Sequence, residues 1–460
     1  MLMGISLPVK PSNFLKLTFS QWMGCDRFIW NAKCDEDQYL MSYAKKFLAI
    51  GTYPKIDQKY SKYKDKVLSP WLFNPPSQIL RNSAVNWFKT YQNFLKGLCK
   101  KPKRKRKSNK GSIHLTKELF YFKKVSKNVI HLFIGTKKNT VGYLSLKIHR
   151  PFKEPTSIRI KKRNGKYSVS FCYEDDLDES KLMNQEDHLK YLKKSTRKDL
   201  EAQIIGIDLG VKIPVQAGDD VFDFSKEQKK KKKAKEKYIK RCQKALSRKK
   251  KGSKRWKRQK HKLAKSHDKI SNIRKDFCHK TSFSIVNNEK TKVIIFEDLK
   301  TQNMTKKPKA KKDEKTQKWL PNKRKNKAGL NKAILDKSWH QIVTFIKYKA
   351  YRAHKAVFKI SANYTSQECA NCSHTHPNNR KKQDVFNCEN CGHIDNADHN
   401  AARVIKKRAI NLILESGTEL SKRGVLLDSG CGAESKTRKA NANRAHGYKA
   451  SKKMEKAKVA

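Results

Sequence analysis

Acidic residues are scarce in this chain of 460 residues: 41 Asp and Glu stand against 108 Lys and Arg, a formal net charge of +67. A folded surface of that charge repels itself unless a polyanion neutralises it. A small neutral metabolite has no need of such a field, and nucleic acid is the leading partner, because each neutralised phosphate releases counterions. No apolar run approaches the roughly 20 residues of a spanning helix, so no membrane role is expected. Met1 to Lys10 lacks the basic stretch and apolar core of a secretory signal. A disulfide framework is also missing. The 11 cysteines are odd in number, and seven of them (Cys25, Cys34, Cys99, Cys172, Cys242, Cys278 and Cys431) are scattered. That argues for a reducing, cytosolic compartment. Hydrophobic residues are a lean 37%, still enough at this length for a core and for roughly two to four domains.

Periodicity divides what is present. Leu80, Ala84, Trp87, Phe88, Tyr91, Phe94, Leu95 and Leu98 recur at helical spacing, with Pro75-Pro76-Ser77 as the start signal. Trp22 to Leu48 also reads as helix, so the region from about Phe14 to Leu98 is expected to be helical. Lys100 to Lys110 reads as a basic linker. Short β-type runs follow at Ile130–Ile134, Tyr143–Ile148, Ser157–Ile160 and Tyr167–Tyr173, the last two joined by the hairpin signal Asn164-Gly165. This stretch is expected to form a small β-barrel, and Glu174 to Leu200 a linker with a short helix. Ile204 to Val211, Pro214 to Ala217 and Val221 to Phe224 predict three consecutive antiparallel strands. Lys229 to Lys265 holds 21 Lys and Arg in 37 residues. Leu263, Ile270, Ile273 and Phe277 then predict a long amphipathic helix. A strand at Val293–Phe296, a helix at Trp339–Ala350, a strand at Val357–Ile360 and a helix from Ala397 complete the order βββ-α-β-α-β-α of an RNase H-like fold. Thr305 to Lys327 is a second Lys-rich insertion, read like Lys229 to Lys251 as a solvated loop. After Leu414 disorder is expected.

Three acids fall at strand or helix ends of this pattern. Asp208 sits between Ile207 and Leu209 in an apolar strand, where a charge is costly without compensation. Glu297 ends the strand Val293–Phe296, and Asp398 starts the last helix in Asp398-His399-Asn400-Ala401-Ala402. Carboxylates gathered so can hold two divalent ions for phosphodiester hydrolysis. Singly, each has a plainer reading: a turn residue, a salt-bridge partner, a helix cap. Asp298 and Asp395 are the local rivals. Cys369-Ala-Asn-Cys372 and Cys388-Glu-Asn-Cys391, 15 residues apart, have the spacing of a structural zinc site closed by four thiolates. His374, His376 and His393 are read as loop residues.

These residues together resemble the TnpB family, transposon-encoded RNA-guided nucleases related to type V CRISPR effectors. The resemblance runs to about residue 412. It rests on Met23-Gly24-Cys25-Asp26-Arg27-Phe28-Ile29-Trp30-Asn31, Pro76-Ser77-Gln78-Ile79-Leu80, Asn164 to Phe171, Gly206-Ile207-Asp208-Leu209-Gly210, Phe296-Glu297-Asp298-Leu299, Thr365-Ser366-Gln367 with the four cysteines, and Asp398 to Ala402. The family often has Asp two residues before the third acid; here that residue is Asn396.

The resemblance implies a multidomain α+β protein. Residues 1–13 would give the first wedge strand, 14–110 a helical recognition domain with the basic linker, and 111–200 the wedge domain and a linker. Residues 201–364 would form the first part of a RuvC nuclease domain, 365–395 a zinc ribbon, 396–412 the last RuvC helix, and 413–460 a disordered basic tail. It further implies Asp208, Glu297 and Asp398 as catalytic ligands of two Mg²⁺, one Zn²⁺ on Cys369, Cys372, Cys388 and Cys391, and Gln78 as a base-edge reader. The partners would be guide RNA and double-stranded target DNA, for a monomeric protein in a ribonucleoprotein of the prokaryotic cytoplasm and nucleoid. Three other readings stand beside it: a nuclease-dead RNA-guided repressor, a conventional transposase or recombinase, and a compact type V CRISPR effector.

Overall fold

The computed structural model describes residues 2–52, 54–108, 110–176 and 182–427. The chain separates into two compact units. One comprises residues 1–179 with 239–267, the other 180–238 with 268–460. Among the described residues no helix is long and apolar enough to cross a membrane.

The first unit opens with β1 (Leu2–Val9) and α1 (Asn13–Phe47), capped by the Ser12 hydroxyl, which accepts from the Leu15 N–H at 3.2 Å. After α2 (Ser77–Leu95) come β2 (Lys110–Thr116), β3 (Phe120–Ser126), β4 (Val129–Gly135), β5 (Thr140–Lys147), β6 (Ser157–Arg163) and β7 (Lys166–Glu174). The turn between β6 and β7 is the expected Asn164-Gly165 pair, at φ 50° and 79°, the left-handed backbone of a type I′ hairpin.

The expected barrel does not close. The strands form two open sheets, β1-β7-β6-β2 and β3-β4-β5. What fills the space between them is a helix: Leu15, Phe19, Trp22 and Met23 of α1 join the same buried cluster as Leu132, Leu144, Ile160 and Val169. The basic linker is held rather than loose. Trp30 donates its indole N–H to the Lys103 carbonyl at 3.0 Å, and the Asn31 amide both donates to and accepts from the Lys105 backbone.

The second unit contains α3 (Gln185–Leu192) and α4 (Arg197–Gln203), two helices where a linker with one was expected. Then follow β8 (Ile204–Asp208), β9 (Val215–Ala217) and β10 (Asp220–Phe222). The Lys-rich run is not a loop. It forms α5 (Lys226–Ser247) and the first part of α6 (Lys254–Val286), whose ends are shared between the two units. Beyond β11 (Val293–Glu297) come the short α7 (Thr301–Met304), the small β12–β13 hairpin (Lys311–Lys312 and Trp319–Leu320), α8 (Arg324–Lys337), α9 (Trp339–Arg352) and β14 (Ala356–Ile360). The ribbon strands β15 (Val385–Asn387) and β16 (Ile394–Asn396) lead into α10 (Ala397–Leu414).

The sheet order is β10-β9-β8-β11-β14, with β8, β11 and β14 parallel and the outer pair antiparallel. The five strands follow one another in the order that the sequence predicts, with three consecutive antiparallel strands first. Alternation along β11 sends Ile294 and Phe296 into a core with α6, α8 and α9, and Val293 and Ile295 into a second core with α3, α4 and α10. Residues 415–427 are ordered, against expectation. β17 (Glu419–Leu420) pairs with β18 (Leu426–Leu427), and the Lys359 N–H donates to the Gly424 carbonyl at 2.8 Å on the edge of β14. The rest of the expected tail, 428–460 with Cys431, lies outside the described residues.

Candidate active site and metal centre

Alternation decides which acids can meet. On β8, Ile204 faces the α10 core and Ile207 the opposite one, so Asp208 falls on the α10 side. On β11, Glu297 shares the side of Val293 and Ile295. The last ladder pair, Phe296 with Ile207, sets Glu297 beside Asp208. Helix α10 closes on this face because Gly206 has no side chain: a Cβ there would lie 2.2 Å from the Ala402 carbonyl oxygen and 2.8 Å from the Lys406 nitrogen. Gly206 of β8 and the α10 backbone at Ala402 and Lys406 are thus two halves of one contact. Asp398, in the first turn of α10, comes with it; its Oδ2 lies 3.6 Å from the ideal Cβ position of Gly210.

The helix-cap reading of Asp398 does not hold. Asn396 is the cap, its side chain accepting from the N–H of Asp398 at 3.0 Å and of His399 at 3.3 Å. That leaves the Asp398 carboxylate for the site. Asp298 points to the other core side, paired with Lys359 at 2.8 Å; this partner outweighs its burial and holds its pKa down. Asp395 is engaged by His399 Nδ1 at 2.8 Å, and His399 Nε2 reaches Asp219 at 2.7 Å.

The three acids share one electrostatic signature. Burial, then the charges of Glu297 and Asp398, push the Asp208 carboxyl up to about 7. Burial raises Glu297 and Asp398 as well. Such a cluster favours protons over charge until a cation arrives, which fits a divalent-metal site. Two neighbours were not legible in the sequence. The Thr365 hydroxyl donates to Glu297, and Arg380 donates to Asp398 Oδ1 at 3.3 Å. Thr365 stood only as the lead-in to the cysteines, and Arg380 is one basic residue among many.

The four cysteines converge. Their sulfurs lie within 4.8 Å of one another, and among the described residues no trio of carboxylates gathers so tightly. Cys369 and Cys391 are 3.7 Å apart and Cys372 and Cys388 3.6 Å. Disulfide sulfurs would be about 2.05 Å apart, whereas a tetrahedron with metal–sulfur bonds of about 2.3 Å has edges near 3.8 Å. The two knuckles repeat one design. The N–H of Cys369 donates to the His374 carbonyl and that of Cys388 to the His393 carbonyl, both at 3.0 Å. The turns close at Ser373 and Gly392, at φ 62° and 67°. Asn390 donates to Cys372 Sγ at 3.6 Å and Asn371 to Cys391 Sγ at 4.0 Å, each amide reaching across to the other knuckle. Backbone and amide donors bring the exposed Cys372 thiol down to about 6, while burial pushes Cys369 up to about 12.

Asn400 ties this centre to α10. It is wholly buried, accepts from the Ala370 N–H at 2.9 Å and donates to the Glu368 carbonyl at 2.8 Å. Of the loop histidines, His376 Nδ1 pairs with Glu389 at 2.8 Å. Gln78 stands half-buried in the first turn of α2, in the other unit.

Comparison with known proteins gives two family matches: residues 171–308 fit a family described as "Probable transposase", and residues 339–405 the "Cas12f1-like, TNB domain". The chain is 26% identical over 410 residues to "Putative RNA-guided DNA endonuclease InsQ" of Escherichia coli strain K12, covering 88% of this chain and 91% of that protein. It is 23% identical over 410 residues to a "Putative RNA-guided DNA endonuclease" of Streptomyces pristinaespiralis, with 86% of each covered. Among solved structures, the Cas12f1 chain in a complex with guide RNA and target DNA matches 84% of this chain and 82% of its own, at 15% identity and a TM-score of 0.46. The ordered acids and the four-cysteine centre lie across the two matched regions, where the chain is similar to a probable transposase family and to the Cas12f1-like TNB domain.

Proposed function

We propose that this protein is an RNA-guided, Mg²⁺-dependent DNA endonuclease of a transposable element, hydrolysing both strands of a duplex chosen by guide pairing and a short adjacent motif. One observation carries the reading. Two neighbouring parallel strands present Asp208 and Glu297 to the same face, and α10 brings Asp398 onto it. Whole-chain similarity to proteins named RNA-guided DNA endonucleases supports the guided part.

Asp208, Glu297 and Asp398 would hold the cations. When bound, a pair of divalent ions supplies the attacking hydroxide and stabilises the leaving oxygen. The chain's own residues position the carboxylates. The Thr365 hydroxyl fixes one oxygen of Glu297, and Arg380 steers Asp398 while lowering the negative charge that would repel a phosphate. Cys369, Cys372, Cys388 and Cys391 would hold one structural Zn²⁺, since four thiolates leave no open position. Lys and Arg would follow the guide–target duplex by its shape, leaving sequence to base pairing, in a protein acting as a monomer in the prokaryotic cytoplasm. The domain divisions and the base-reading role of Gln78 belong to the same proposal.

The test is plasmid cleavage with Mg²⁺ and the RNA that copurifies. A cut set by that RNA is expected. Joined strands would indicate a transposase, and guided binding without cutting a repressor.

A further inference from the structure

The outer face of the sheet β3-β4-β5 takes no part in the chemistry above. Phe120, Leu132, Ile134, Leu144 and Leu146 point into the core. The same alternation turns Tyr121, Phe133 and Tyr143 outward in one cross-strand row, Tyr121 opposite Phe133 and Phe133 opposite Tyr143. The rings of Tyr121 and Phe133 are parallel to within 2° at 4.8 Å, and Tyr143 stacks on His131 of the next row at 4.4 Å. Tyr143 is 52% exposed. The next row runs Lys123, His131, Ser145, and Lys147 lies beyond it opposite Val129. The solvated face of an antiparallel sheet is ordinarily polar. Here it carries three aromatic rings side by side, edged by exposed lysines, and these rings add nothing to the core.

We propose that this face is a stacking platform for unpaired bases of RNA. Flat rings in a row with cations at the edge are the means by which proteins hold single strands without reading sequence. Lys123 and Lys147 supply the charge complementarity to phosphate. His131 and Ser145, one row down, offer the donor and acceptor groups that a ribose 2′-hydroxyl can meet, which favours RNA over DNA. The inference goes beyond the nuclease reading and draws on it only for RNA as a partner. Its test involves no cutting, so its failure leaves cleavage untouched.

The full chain is mixed with a short single-stranded RNA carrying 5-iodouridine, at about 0.5 M salt to suppress purely electrostatic binding. Matched single-stranded DNA and duplex RNA run in parallel. After irradiation, cross-links are mapped by mass spectrometry. Adducts on Tyr121, His131, Phe133 or Tyr143 are expected with single-stranded RNA and few with the duplex. Tyr143→Ala should weaken that binding about tenfold, within the range for losing one base–aromatic stack, while Tyr143→Phe should not. Two results overturn the proposal: adducts that all map elsewhere, or a Tyr143→Ala variant that binds as before and loses only melting temperature, as a simple sheet-stabilising pair would. Equal labelling of this face by the DNA overturns the assignment to RNA. If Tyr143→Ala does not fold, the map on the unaltered chain decides alone.

Discussion

The four-cysteine centre and the three-acid cluster share one unit and are built in opposite ways. The cysteines come from a single short stretch, Cys369 to Cys391, folded by two copies of the same knuckle, and their sulfurs already stand at tetrahedral spacing. The acids come from Asp208, Glu297 and Asp398, far apart in the chain. They meet only because two strands pair in parallel and α10 lies close over Gly206. The first site is held by local backbone geometry. The second is held by the whole sheet, and it stores unfavourable charge that the raised carboxyl of Asp208 records. A metal centre made locally can fail by itself; one made by topology fails with the fold or with its charges.

The largest expected effect breaks the second site without touching the first. Alanine at Asp208, Glu297 or Asp398 should take plasmid cleavage below detection while zinc content and guided binding stay near normal, because affinity comes from base pairing and from Lys and Arg on phosphate. Asp298→Ala and Asp395→Ala should still cut, since those carboxylates serve Lys359 and His399 instead. Cleavage by Asp398→Ala but not by Asp395→Ala would show that the third acid is misassigned.

The reverse experiment breaks the first site. Cys388→Ser should bring zinc from one ion per chain to none by elemental analysis. Loss of a structural metal costs more than about 4 kcal/mol where the fold depends on it, and the ribbon core is little more than Cys369, Cys388, Phe386 and Ala397. Cutting should fall too, because Asn400 binds the ribbon backbone to the helix that carries Asp398. A zinc-free variant that cuts normally would show that the two sites are independent.

The two sites also differed in how far the sequence revealed them. Spacing alone was enough for the cysteines, because their constraint is local. The acids were legible through the element order, yet the sequence could not say why Asp398 is free of the capping role; that needed Asn396 in place. The barrel was expected because strand runs carry no information on closure, which α1 decides by inserting Leu15, Phe19 and Trp22. Lys229 to Lys251 read as a loop because its charge hides a few buried contacts, Ile239 and Cys242 among them. The β17–β18 hairpin was missed since Val425 bridges to the edge of β14 and Leu426 joins the core beside α10, burial that exists only once the sheet and helix are in place. Arg380 could not be picked out of 108 cations.

A smaller effect sharpens the contrast in stored charge. The Asp208 carboxyl binds its proton more tightly in the folded protein than an ordinary Asp does, up to about 7. Metal-free folding stability should therefore fall as pH rises from about 4 to about 7, where the unfolded chain has already lost that proton, and the cost reaches at most about 4 kcal/mol. Asp208→Asn removes it. This variant should melt higher than the unaltered protein in chelator-treated buffer at pH 8, with little difference at pH 4. Mg²⁺ should narrow the gap by stabilising the unaltered protein. Equal melting at both pH values would mean that the acids do not crowd one another.

The cysteine centre should show a weaker dependence of the opposite sense. Zinc needs thiolates, and Cys372 is brought down to about 6 by the backbone N–H of His374 first and the Asn390 amide second. Asn390→Ala removes the second donor and leaves the first. The Cys372 thiol should then rise, and zinc release on acidification should begin at a higher pH than in the unaltered protein. Supporting hydrogen bonds of this kind are worth about 10–100-fold in metal affinity at buried sites. Both amides here are exposed to water, which can replace them, so the loss should sit at or below the low end. Asn371→Ala should cost less than Asn390→Ala, because its reach to sulfur is 4.0 Å against 3.6 Å. Titration against a chromophoric chelator at several pH values reads both. If the order is reversed, or if neither substitution moves the release, the cross-knuckle amides are bystanders and backbone donors alone prepare the thiolates.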